Sequence, residues 1–163
     1  MHIFAWLLIV VAALALLVVA AGQLGWLQGT PPDDIGVRDG RLKLPSMTEN
    51  SVSSQAALYP DHPQRNHAAI APLALRGDGP ATLARIKTLV TGMAGASVVR
   101  SDADYLYVQF TSRVLKFVDD SEFWFDPANK VIQVRSASRV GRGDLDVNRK
   151  RIETIRAALA SAS

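Results

Sequence analysis

From Ile3 to Gly22, twenty consecutive residues carry no charge and are dominated by Leu, Val, Ile and Ala. Twenty helical residues rise about 30 Å, the thickness of a bilayer's hydrocarbon core. A domain built from the rest of a 163-residue chain has no interior able to surround such a helix on every side. Trp6 and Trp26 stand near its two ends, where amphipathic rings favour the membrane interface. Residues 1–27 are therefore expected to form a membrane anchor. A cleaved signal peptide is the competing reading. Its apolar stretch is ordinarily about 7–15 residues long and comes after a basic segment. Here only Met1 and His2 precede the run, although Val19-Ala20-Ala21 has the small-residue character of a cleavage site. Either way the chain is directed to a membrane. No Lys or Arg precedes the run to set orientation. Because N-terminal signal-anchors commonly export the polypeptide C-terminal to them, the expectation is a single pass through the inner (cell) membrane with the domain on the periplasmic side.

Beyond the anchor the chain changes character twice. Residues 28–50 read as a tether. The stretch up to Gly79 is irregular, with Pro31, Pro32, Pro45, Pro60, Pro63 and Pro72 and no helical period. Structureless loops of that length are uncommon in compact domains, so part of it is expected to wrap the domain, docking through Ile70, Leu73 and Leu75. A domain over residues 51–163 supplies the rest. Gly79-Pro80 opens a helix with Pro at its first position, and Leu83, Ile86, Leu89, Val90 and Met93 share one face of it. Strand-like segments come next at 97–100, 105–111, 114–118, 122–126 and 131–136. A last helix over 147–160 is expected to be capped by Asp146 and to bury Val147, Ile152, Ile155 and Leu159. The fold class is α+β: an N-terminal transmembrane helix, then a small antiparallel meander sheet flanked by two helices.

Alternation sets the register of one hairpin. Pairing Asp126 with Val131 puts Phe123 opposite Val134 and Phe125 opposite Ile132 on one face, with Glu122 opposite Arg135 and Trp124 opposite Gln133 on the other. In the preceding strand Leu106, Val108 and Phe110 would point to the core, leaving Tyr105 and Tyr107 beside Trp124. That second face is either a ligand surface or the floor under the wrapping loop.

The absence of cysteine excludes disulfides and thiolate chemistry. Between Asn129 and Arg151 seven basic residues stand against two acids, a local charge suited to anionic lipid, phosphate or an acidic partner, or simply to a solvated face. Nucleic acid is not expected as a partner, and neither a metal nor a cofactor is implied. Asp119 and Asp120, with Glu122 nearby, are the candidate acid/base groups, but neighbours on a strand point to opposite faces and cannot easily converge on one ion. Asp119 shares parity with Phe117 and Phe123, so it is expected inside, paired with an arginine; Arg139 and Arg149 are the candidates. The Arg135–Gly143 loop, rich in Arg and Ser and leading into the last helix, is the candidate anion cradle, with Ser136, Ser138, Arg139, Asn148 and Arg149 as its side chains. Asp119, Glu122, Arg135 and Asp144 are expected to form a structural polar network. Ser53, Ser54, His62 and His67 are read as surface loop, since no nucleophile elbow or zinc spacing surrounds them.

The stretches GVRDGRL, NSVSSQA, IAPL, FVDDSEFWFDP and VRSASRVGRGDLDVNRKRIETIR, from Val37 onward, resemble the domain-of-unknown-function 1499 family of small membrane-associated or exported proteins. The resemblance covers most of residues 37–160. It implies that Asp119, Asp120, Glu122, Phe123, Arg135, Ser136, Ser138, Arg139, Asp144, Asn148 and Arg149 are hallmark positions, and it brings no established activity. Many members carry cysteines where Leu44 and Ser51 stand here, and a glycine where Asp146 stands.

The reading of function is a membrane-anchored, extracytoplasmic binding or assembly domain that uses the Arg/Ser-rich loop to hold an anionic small molecule or a protein partner. The alternative is a hydrolase or transferase acting on a phosphorylated or lipidic substrate. An enzyme requires acids and arginines convergent on an open pocket; a scaffold requires them paired and closed.

Overall fold

The computed structural model describes residues 2–161. Helix α1 (His2–Gln23) is long and apolar enough to span a membrane and projects away from the rest of the chain, which leaves it exposed. The domain beyond it is α+β. Its elements are β1 (Ser51–Ser53), a short 3-10 turn (Ala56–Leu58), α2 (Arg65–Ala68), β2 (Leu73–Ala74), α3 (Gly79–Thr91), β3 (Ala96–Ser101), β4 (Tyr105–Thr111), β5 (Val118–Asp126), β6 (Val131–Ser138) and α4 (Val147–Ser161). All six strands join one antiparallel sheet in the order β1-β6-β5-β4-β3, with β2 also on the outer edge of β6.

The expected hairpin is present in the expected register, from Asp126 opposite Val131 to Glu122 opposite Arg135. Asp126 accepts from the backbone N–H groups of Ala128 and Asn129 and so closes the turn. Leu106, Val108, Phe110, Phe123, Ile132 and Val134 face Leu83, Ile86 and Val90 of α3 and Ile152, Ile155 and Leu159 of α4, forming the core. The stretch ahead of α3 docks on that core: Leu73 is fully buried, with Ile70 and Leu75 packed against it. At the far edge, β3 carries an irregularity between Val98 and Arg100.

Three local expectations are corrected. Residues 114–118 are not a strand: Lys116 takes φ 58°, the chain turns, and the neighbouring strand instead runs from Val118 to Asp126 without a break. Phe117 consequently lies in that turn, 37% exposed, and not in the core. In α4 the first-turn N–H of Asn148 donates to Asp144 Oδ2 at 2.9 Å, so Asp144 performs the capping expected of Asp146, and Val147 is exposed. Asp146 itself sits at φ 61°, the left-handed region that favours glycine.

The second face of the sheet is covered. Within the stretch read as a tether, Leu42 is only 2% exposed and packs with Tyr105 and Tyr107, joined by Ile35, Val37 and Trp124. Ser53 lies in β1 and is buried, not in a surface loop, and the Oγ of Ser54 accepts from the backbone of Val134.

Candidate functional site

Strand β5 presents consecutive acids to opposite sides of the sheet, and each side answers with its own arginine. Toward the helices, Asp119 Oδ2 accepts from Arg151 Nη2 at 2.6 Å. The partner is therefore Arg151, not Arg139 or Arg149. Residues 148, 151, 152 and 155 share one side of α4, so the phase that buries Ile152 and Ile155 also aims Asn148 and Arg151 at the sheet. Arg151 reaches Asn148 Oδ1 at 2.7 Å and stacks 4.3 Å above the Phe110 ring. Ser136 donates to Asn148 Oδ1 at 2.6 Å and shares a hydrogen bond with Ser121. Asn148 Nδ2 donates to Asp144 Oδ2 at 2.7 Å and to Ser138 Oγ at 3.0 Å. This inner network is fully cross-linked, and Ser136 and Asn148 are buried within it.

On the outer side Asp120 takes a bidentate pair from Arg139, with Nε to Oδ2 and Nη2 to Oδ1 both at 2.8 Å, and a further bond from the Tyr107 hydroxyl. The Asp120 carboxylate raises the Arg139 pKa, while burial pushes the Tyr107 phenol up. Next along the strand Glu122, 0% exposed, accepts at Oε1 from Tyr105 at 2.7 Å and from the Gly36 backbone N–H at 2.8 Å. Its Oε2 has no hydrogen-bond partner among the described residues and faces Arg135 Nη1 at 3.7 Å. Burial raises the Glu122 pKa and lowers that of Arg135, so the two desolvation costs oppose the pairing of the charges.

Beside these pairs lies a cleft of about 640 Å³ between residues 30–48 and the end of β6, lined in part by Lys43, Leu44, Asn50, Arg135, Ser138 and Arg139. A smaller hollow of about 470 Å³ over Arg38, Arg41 and Tyr59 holds none of the site residues expected from sequence. Of the residues expected in one anion cradle, only Ser138 and Arg139 line the cleft. Ser136 and Asn148 belong to the inner side, and Arg149 donates to the carbonyls of His67 and Ala69. Lys43, Asn50 and Arg151 went unrecognised. Arg151 had a signal, its three- and four-residue spacing from Asn148 and Ile155; Lys43 and Asn50 had none, being loop residues placed by the fold. Among the described residues no group of three or more His, Asp or Glu side chains converges as a metal site.

These features define an α+β domain with two ion-paired networks back to back across one sheet, carried on an apolar N-terminal helix. Residues 41–159 match the family described as "Protein of unknown function (DUF1499)", and the chain belongs to that family. No curated protein and no solved structure matches it.

Proposed function

We propose that the protein is a single-pass, membrane-anchored binding or assembly domain facing the periplasm, and that its outer cleft holds an anionic group of a small molecule or a protein partner. The observation that carries this reading is the state of Arg135. The side chain is 4% exposed, and its Nε donates to the Leu44 carbonyl at 3.2 Å. Its remaining N–H groups make no hydrogen bond among the described residues, only the 3.7 Å approach to Glu122, and the residue lines the cleft. A guanidinium offers five donors, and one that lines a cleft without a close carboxylate partner favours a ligand that supplies acceptors. Lys43, ion-paired with Asp34, stands on the same wall. Arg139, held bidentate by Asp120, lines the same cleft. Closed pairs also argue against the hydrolase or transferase alternative, since either aspartate would have to leave an arginine to move a proton.

The test is mass spectrometry of the lipids, metabolites and proteins that co-purify with detergent-extracted full-length protein. Arg135→Gln and, independently, Ala137→Met, which adds bulk to a buried residue lining the cleft, are each expected to lose the bound species. Retention of the same species by a folded Ala137→Met protein overturns the assignment even if Arg135→Gln fails to fold.

A further inference from the structure

Helix α1 ends against the domain, not at a distance from it. At Gly22 it approaches the 112–117 turn so closely that a Cβ there would lie 2.6 Å from the Leu115 carbonyl oxygen. Gln23 Nε2 donates to the Val114 carbonyl at 2.8 Å. A few residues on, a Cβ at Gly29 would lie 2.7 Å from Arg139 Cβ and 2.8 Å from Val140 Cγ1. The 112–117 turn and the 140–147 loop therefore flank the point where the chain leaves its apolar helix.

The run from Ile3 to Gly22 is about as long as a bilayer core is thick. With α1 inserted, Gly22 lies at the hydrocarbon boundary, and whatever touches it lies among the lipid headgroups. The side chains there suit that layer. Val114 is 54% exposed, and Phe117, Leu145 and Val147 are exposed as well. Arg113, Lys116 and Arg142 have no ion pair among the described residues. Between the two loops runs a groove of about 310 Å³ whose walls combine Phe117, Val140 and Val147 with Asp119 and Asp144, both already bonded to α4. Exposed apolar side chains interleaved with free cations are the composition of a surface that enters a lipid interface. A soluble partner would have to compete with lipid for this position.

We infer that the 112–117 turn and the 140–147 loop form a bilayer seat. Their apolar side chains enter the interface of the membrane that α1 crosses, and Arg113, Lys116 and Arg142 pair with the phosphates of its lipids. The seat rests on the reading of α1 as a membrane span, and the experiment separates the two. The chain has no cysteine, so one introduced cysteine takes a spin label without background. Leu14→Cys reports the middle of α1, Val114→Cys the seat, and Ala128→Cys the β5–β6 turn at the opposite end of the sheet. The full chain is placed in phosphatidylcholine–phosphatidylglycerol vesicles, and each label's accessibility to oxygen is compared with its accessibility to a water-soluble nickel chelate. The expected ratio is highest at Leu14, several-fold above Ala128 at Val114, and that of an aqueous site at Ala128. A deep Leu14 label with Val114 matching Ala128 overturns the seat and leaves the anchor intact. An aqueous Leu14 label overturns both. With Arg113→Glu and Lys116→Glu added, the Val114 ratio is expected to fall toward that of Ala128; an unchanged ratio overturns the pairing with lipid phosphate.

Discussion

Glu122 keeps one carboxylate oxygen saturated and the other without a hydrogen bond, and that asymmetry has a pH signature. Burial raises its pKa above the ordinary 4.5, so the folded state holds this proton more tightly than the unfolded state. The contribution to stability is complete below 4.5 and is lost as pH rises through the elevated folded value. Asp34 and Asp126 behave in the opposite sense. Burial tends to raise them, but hydrogen bonds from Lys43 and from Asn129 and Gln133 bring them below 3.8, so their contribution is present above 3.8 and fades as pH falls. The two windows do not overlap. Glu122→Gln is therefore expected to shift the melting temperature by an offset and to flatten its decline from pH 4.5 upward. Melting curves parallel to wild type across that range would contradict the assignment. On the other face of the sheet, Asp119→Asn should cost about 3 kcal/mol, because it strips the counter-charge from a largely buried guanidinium. Replacing Asp119 and Arg151 together by apolar residues should recover part of that loss in urea unfolding of the detergent-purified chain.

At the scale of elements, the strap over the second sheet face makes a sharp demand. Leu42 is as buried as core residues although it belongs to no strand or helix, so Leu42→Ala should destabilise the protein by about 2–4 kcal/mol in the same unfolding assay. A neutral result would mean that the strap lies loosely on Tyr105 and Tyr107. The hairpin from Glu122 to Arg135 was legible because a period of two separates its residues into apolar and polar classes that only one register keeps apart. Helices α3 and α4 were legible for the same reason at a period near four. Strands β1 and β2 were not: three and two residues long, they carry no period and are strands only because β6 offers them unpaired backbone. The Val114–Val118 misreading has a comparable origin, since β-branched and aromatic residues suggested a strand where the backbone of Lys116 turns left-handed. In the candidate site, which acid lies inside was readable from parity. Which arginine meets it was not, because that depends on how α4 is rotated against the sheet.

For the molecule as a whole, the length of α1 and its tight exit onto the domain lead to a fractionation result. Full-length protein should remain in the membrane through carbonate and high-salt washes; a soluble form beginning near Gly22 would instead identify residues 1–21 as a removed leader. Copies anchored through α1 would meet side by side in two dimensions, at far higher effective concentration than free ones. Among the described residues the sheet has a free edge at β3, the kind of edge that recruits another strand. The irregularity between Val98 and Arg100 breaks the ladder there, so a neighbour arriving laterally finds no continuous template. Deleting Val99 would restore an even edge. Such a variant is expected to give cross-linkable dimers in vesicles at surface densities where the natural chain stays single, and an unchanged cross-linking pattern would show that crowding in the membrane plane is resisted by something other than this kink.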